Sequence, residues 1–473
     1  MARLTLHPDR LFPPDPGLRD IARRLYASVA DQPILSPHGH VPPQWIADDQ
    51  PFADPVSLLL SPDHYINRLL HADGVSLAAL GVPPAGPQLS QAEARAAWRT
   101  FCQRWGLFAG TPMKYWMEAV LVDVFAVTER PSLATADAIY DQIAAELATP
   151  ALRPRALMDR FGIDFLATTD DPVDSLAAHA SLASDPGFHH RVVPTFRPDK
   201  YLEPARPDWP ALVGRLGEVA GVDTASYAGW VAAMENRRAY FKAHGAVSSD
   251  HAHIDLDTEP LSPAEAARVY AAALGGTASA AAAKVLRQTM LFEQARMASQ
   301  DGLTMTLHPG VFRNHHQATF ERYGADVGCD IPLATEFTRA LRPLLQAFGD
   351  DVNFHLVLFT IDETVLSREL APLAGFYPSV YLGVPWWFID APDAIGRFKA
   401  AVTETAGFSR LSGMIDDTRA FLSIPARHDM SRRLDAAHLA RLVGEHRLEE
   451  DEAMAVIHHL VALAPRQVFR IPD

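Results

Sequence analysis

What most constrains this chain is a series of short apolar runs that end alike. In order they read PILSPHGH (33–40), GIDFLATTDD (162–171), RVVPTFRPD (191–199), HGAVSSDHAH (244–253), LTMTLHPGVFR (303–313), DVNFHLVLFT (351–360), SVYLGVPWW (379–387) and LSGMIDDTR (411–419). Each is bounded by turn residues and has the length of a buried strand. Between most of them lie segments of helical pattern with readable starts. In SPAEAARVYAAAL, Ser262 caps, Pro263 opens the first turn and Glu265 completes a capping box. Strands alternating with helices imply a parallel sheet, and eight such units imply an α/β fold closed into a (β/α)8 TIM-like barrel. A competing open, doubly wound sheet would carry a Gly-rich phosphate loop after its first strand, and none follows the first run. Polar and aromatic side chains gather at the C-terminal ends of the runs, the face on which barrel enzymes build their sites.

The first and second runs are separated by residues 41–161, far more than an ordinary βα loop. The segment reads as mostly helical (SPDHYINRLLHADG, SQAEARAAWRTFCQRWG, TPMKYWMEAVLVDVFAV, TADAIYDQIAAELA), so the expectation is a helical insertion after the first strand. The predicted organisation is residues 1–60 for an N-terminal segment and first strand, 61–155 for an insertion over the active-site mouth, 156–430 for the rest of the barrel, and 431–473 for a C-terminal helical segment. Proline and glycine mark the junctions, as in GVPPAGP (81–87).

Forty-two basic against 57 acidic residues give a net charge of −15, which disfavours a nucleic-acid partner held through phosphates. No stretch approaches the roughly 20 apolar residues of a membrane span, and MARLTLHPDRLFPPDP lacks the apolar core of a signal peptide. Cys102 and Cys329 are too few for a disulfide framework and too distant in sequence for a metal motif, so a cytoplasmic protein is expected. The oligomeric state is left open, a homo-oligomer included.

The chemistry begins at His38 and His40. Residues i and i+2 of a strand share a face, so both imidazoles can reach one point, and closure of a barrel brings the end of the last run beside the first. Imidazole with carboxylate suits zinc and other divalent first-row ions, and three protein ligands leave a position open for water or substrate. The predicted metal ligands are therefore His38, His40 and Asp417, holding one divalent ion, zinc before others. Asp417 is preferred to Asp416 because it stands two before Arg419, which lets both face one way. The bland alternatives are capping histidines and an acidic turn paired to a surface Arg.

These features resemble the amidohydrolase superfamily of metal-dependent barrels, and within it the uronate isomerase (glucuronate isomerase) family. The resemblance runs over nearly the whole chain: the HGH triplet, SPDHYINRLL with His64 and Tyr65, PTFRPDK around Arg197, and SSDHAH around Asp250 and His251. It continues through LHPGVFRNHH around His308 and Arg313, YLGVPWWF around Trp386 and Trp387, and GMIDDTRAFLSIPARHDMSRR around Asp417 and Arg419. One segment departs: where the family pattern reads H-I-G-x-x-R-N-N-N, Pro309 replaces the Ile and His315 and His316 replace the last two Asn.

The resemblance implies an aldose–ketose isomerisation of a small hexuronate, D-glucuronate to D-fructuronate and D-galacturonate to D-tagaturonate. Moving a carbonyl from C1 to C2 requires a base for the C2 proton, an electrophile beside the enediolate oxygens and an acid to reprotonate. The implied roles are Asp417 as metal ligand and proton-transfer base, Arg419 beside the enediolate, and Tyr65 as hydroxyl-proton shuttle with His64 and His308 as polar partners. Arg197 and Arg313 would grip the carboxylate, which a planar guanidinium matches in a bidentate way. Trp386, Trp387, Asp250 and His251 would complete the substrate site.

The rival on the same fold is a mononuclear metal-dependent hydrolase of an amide, ester or lactone. Two-metal hydrolases of this superfamily use a bridging Lys or Glu on the fourth strand and His on the fifth and sixth. Here the fourth run ends S-S-D-H, the sixth ends at Thr360, and His355 sits inside its run, so one metal site at most is expected. A non-catalytic sugar-acid binder would not need so many ionisable groups in one mouth.

Overall fold

The computed structural model describes residues 3–83, 86 and 88–472, so Pro84, Ala85 and Pro87 of the 81–87 junction lie outside the described residues. The apolar middles of the runs form short strands: β1 (Ile34–Ser36), β2 (Ile163–Ala167), β3 (Arg191–Val193), β4 (Ser248–His251) and β5 (Thr304–Leu307). A two-stranded antiparallel ribbon follows, β6 (Val311–Phe312) with β7 (Ile331–Pro332), and then come β8 (Leu356–Leu358) and β9 (Val380–Leu382). Strands β1-β2-β3 pair in parallel, as do β4-β5-β8-β9.

Backbone hydrogen bonds outside these ladders join the two sheets. Phe196 N–H donates to Ser248 O at 3.2 Å, and Asp250 N–H donates to Phe196 O at 2.9 Å. Beyond β9, Ser412 N–H donates to Leu382 O at 2.9 Å, and His40 N–H donates to Thr418 O at 3.0 Å, tying the eighth run back to the first. The eighth run is not a regular strand, contrary to expectation. It makes one parallel bridge, Leu411 to Leu382, and then leaves the ladder because Gly413 and Asp417 take positive φ, +77° and +40°. A Cβ on Gly413 would meet Pro465 Cγ at 2.6 Å and Leu460 O at 2.7 Å, so only glycine fits where this segment crosses the C-terminal helices.

Strand side chains alternate between two apolar layers, as a pleat requires. Phe165, Ala167, Val193, Val357 and Phe359 point into the barrel, where Val468, Phe469 and Ile471 from the chain's end join them. Leu166 and Val192 face one group of helices, and Met305, Leu307, Leu356 and Leu358 face the other.

Between β1 and β2 stand helices including His64–Ala72, Gln91–Gln103, Pro112–Ala119 and Ala136–Leu147, which bury Trp98, Phe101 and Trp116. The Ser262 capping box forms as expected on Pro263–Leu274. Helix Pro154–Phe161 spans the expected boundary at 156, and helix Ile424–Gly444 spans that at 431. No helix among the described residues is long and apolar enough to cross a membrane.

Candidate active site

The polar ends of the runs surround a cavity of about 440 Å³. At its floor, His40 Nε2 lies 2.9 Å and His38 Nε2 3.4 Å from Asp417 Oδ1. Asp417 Oδ1 is buried and faces both imidazoles. Two imidazoles and a carboxylate converging in this way fit a divalent cation with a free position. Burial opposes ionisation of Asp417, but His38 and His40 outweigh it and hold the carboxyl well below its usual range. Burial lowers His40 to about 4 against the pull of Asp417, leaving the neutral imidazole a ligand requires. For His38, burial is outweighed by Asp250 and Asp417, which raise it.

Asp250, on β4, is the second centre. Its Oδ1 accepts from Thr306 Oγ1 at 2.8 Å and from His308 Nδ1 at 2.7 Å, and its Oδ2 faces Arg197 Nε at 3.4 Å and His38 Nε2 at 3.9 Å. Burial penalises this carboxylate, yet Arg197, His38 and His308 hold it well below the usual range. His308 is stacked between His38 and Phe359, with centroids at 5.0 and 4.1 Å, and meets Trp386 edge-on at 4.8 Å. Arg197 also binds Asp199 Oδ2 through Nε at 3.0 Å.

Residues between β1 and β2 form another part of the wall. Helix His64–Ala72 is started by Asp63, whose carboxylate accepts from Tyr65 N–H at 2.8 Å and Ile66 N–H at 3.3 Å, while Ile66 and Leu70 bury beneath. This fixes His64 and Tyr65 in the first turn, facing the cavity. Burial pushes the Tyr65 hydroxyl above its usual range and lowers His64 to about 3, so both are neutral near pH 7. Arg427, at the start of helix Ile424–Gly444, binds Asp390 Oδ2 at 2.5 Å and lies 3.6 Å over the Trp116 ring. At the mouth, Arg419 Nη2 and Arg313 Nη1 share Asp326, at 2.9 and 3.3 Å, and Arg313 lies 5.0 Å over Trp387.

Four residues of the cavity wall, Asn314, Asp326, Trp387 and Asp417, hold positive φ (55°, 62°, 51° and 40°) although none is glycine. Such backbone costs of order 1–3 kcal/mol each and persists where surrounding contacts impose it, as at functional sites.

The family model described as glucuronate isomerase matches residues 18–465. The chain belongs to the glucuronate isomerase family. It is 57% identical over 466 residues to a uronate isomerase of Cutibacterium acnes, covering 98% of each chain. The solved glucuronate isomerase of Caulobacter crescentus superposes with a TM-score of 0.96 at 45% identity, over 100% of this chain and 98% of that one. A uronate isomerase structure from Thermotoga maritima gives 0.91 at 26% identity, over 98% and 99%.

In this family member the structure brings His38, His40, His64, Tyr65, Arg197, Asp250, His308, Arg313, Trp386, Trp387, Asp417 and Arg419 to one cavity wall. His251 is the exception. It follows Asp250 on β4 and aligns with Leu307, so alternation turns it toward the helices, away from substrate space. Asp417 rather than Asp416 meets the histidines, as expected, but through its left-handed backbone rather than strand alternation; Asp416 turns to His428 Nε2 at 3.1 Å. Two further groups have ligand atoms within 4.8 Å of one another: His38, Asp250 and His308, which shares His38 with the first, and Asp199, His251 and His253.

Sequence reasoning missed Asp63, Asp199, Glu203, His253, Asp326 and Arg427, all on the cavity wall. Asp63 carried a signal, as the N-cap of DHYINR, and so did Asp199, two after Arg197 in FRPD.

Proposed function

We propose that this chain interconverts D-glucuronate with D-fructuronate, and D-galacturonate with D-tagaturonate, in cytoplasmic hexuronate breakdown. The observation that carries the reading is the convergence of a carboxylate, a neutral phenol and three guanidiniums on one cavity of about 440 Å³, in a chain of this family. His38, His40 and Asp417 would hold a divalent cation, zinc in our reading, which when bound would supply Lewis acidity to the isomerisation.

The remaining roles belong to side chains. Arg313 at the mouth and Arg197 within it bind the substrate carboxylate, with the sugar against Trp386 and Trp387. Asp417, ionised at neutral pH, accepts the C2 proton and returns it to C1. Tyr65 gives its proton to O1 and recovers one from O2, so the enzyme ends as it began. Arg419 faces the negative charge that develops on the enediolate, and His64 and His308 orient the neighbouring groups. We read residues 61–155 as an insertion that excludes water from this chemistry, which the position of Asp63, His64 and Tyr65 on the wall supports.

Incubation with D-glucuronate, followed by NMR, tests the reading. The expected result is a ketose of unchanged mass. Hydrolysis of an amide, ester or lactone with the uronate left untouched would overturn it in favour of a hydrolase.

A further inference from the structure

The motif His251-Ala252-His253 at the end of β4 repeats the spacing of His38-Gly39-His40 at the end of β1. We propose that Asp199, His251 and His253 hold a second divalent cation of the zinc class, just beyond the C-terminal end of β4 behind the part of the cavity wall that Asp199 and His253 form, with a ligand set separate from His38, His40 and Asp417.

Three observations carry this. First, the donors converge: one ligand atom from each residue lies within 4.8 Å of the others, and His253 Nε2 stands 3.7 Å from Asp199 Oδ1. Two ligands bound at about 2.0–2.2 Å to a tetrahedral zinc lie roughly 3.3–3.5 Å apart, so the pair is near that spacing without any ion to draw it in. Second, the nitrogens are free where burial should have forced them into use. Both ring nitrogens of His251 and Nε2 of His253 lack hydrogen-bond partners among the described residues, although His251 is 1% and His253 4% exposed.

Third, the surroundings are those of a ligand set. His253 Nδ1 lies 2.8 Å from Glu203 Oε1, the carboxylate contact that orients a metal-binding imidazole and turns its other nitrogen toward the ion. Asp199 is positioned by the Ala252 N–H at 3.2 Å and by Arg197 Nε on Oδ2 at 3.0 Å, with Oδ1 toward His253. The nearby cation Arg238 is already bound to Asp301 at 2.6 and 3.0 Å. Two imidazoles and one carboxylate form a zinc-type set with one position open. Such an ion would fasten the turn Asp199–Leu202, and Arg197 before it, to the end of β4.

The test counts metal in the full-length protein, stripped with a chelator, loaded with excess ZnCl₂ and desalted. The expected result is that His251→Gln with His253→Gln retains one equivalent fewer than the unaltered protein. His38→Ala with His40→Ala should lose a different equivalent, so the fourfold variant retains none. Equal zinc in the unaltered protein and the His251→Gln, His253→Gln variant overturns the proposal. Because a variant can fail to fold, the stripped, unaltered protein is also titrated with Co²⁺. Visible absorption that keeps rising to a second equivalent is expected, and saturation at one equivalent overturns the proposal.

Discussion

Replacing Tyr65 by Phe separates a catalytic hydroxyl from a structural ring. The ring is held by His64, stacked at 4.8 Å, by Trp116, edge-on at 5.6 Å, and by the Arg427 guanidinium at 5.6 Å. Phe keeps all three contacts. Only the hydroxyl is lost, and one hydrogen bond contributes at most about 1 kcal/mol to stability. Spread over a chain of 473 residues, that is a melting shift of no more than about 2 °C. The rate should respond differently. General acid–base assistance contributes about 10²- to 10⁴-fold, or about 3–5 kcal/mol at 1.36 kcal/mol per decade. The burial that pushes the Tyr65 hydroxyl above its usual range keeps it protonated over the whole working pH, so no change of pH should substitute for it. The assay is steady-state conversion of D-glucuronate alongside calorimetry. The expected outcome is a kcat lowered at least a hundredfold with KM and Tm nearly unchanged, because the hydroxyl acts in the transition state. A variant within a few-fold of the parent kcat would refute the assignment and move the shuttle to His64 or His308.

Three further outcomes follow from the geometry. His38→Ala with His40→Ala should strip the ion bound beside Asp417, read by elemental analysis; unchanged metal content would contradict the cluster at the barrel floor. Asp63→Ala removes the cap that accepts from Tyr65 N–H and Ile66 N–H and should cost about 0.5–2 kcal/mol by denaturant titration, with kcat reduced as the first turn loosens. Asp63→Asn, which still caps, should retain most of both, and equal losses in the two variants would argue against the cap. Asp170, 7% exposed, is pushed from 3.8 up to about 7 by burial, against the Thr168 hydroxyl bonded to it at 2.6 Å. Between about pH 4 and pH 7 the folded chain keeps a proton that the unfolded chain has released, so this contribution is fully present below pH 4 and is lost as pH rises to 7. Asp170→Asn should therefore match the parent near pH 4 and exceed its stability by up to about 4 kcal/mol at pH 8; a difference independent of pH would exclude Asp170 as the cause.

What the sequence determined by itself was whatever depends on near neighbours. The apolar runs, the Ser262 capping box and the His38-Gly39-His40 spacing are local patterns, and local sterics and burial suffice to turn them into strands, a helix start and a pair of imidazoles. The order of the runs was also enough to bring the last beside the first, because parallel strands joined by helices have few ways to pack. Tertiary structure decided the rest. His251 was assigned to the substrate by its place in SSDHAH, but the register of β4 against β5 turned it to the helices, and register depends on the whole sheet. Asp417 reached the histidines through a φ of +40° that no strand pattern contains. Arg419 found Asp326, 93 residues away, and Arg427 found Asp390 and Trp116. Such charges are legible in a sequence only as charges. Which carboxylate neutralises which guanidinium depends on which two are buried together, and burial is a property of the packed chain, not of the residue.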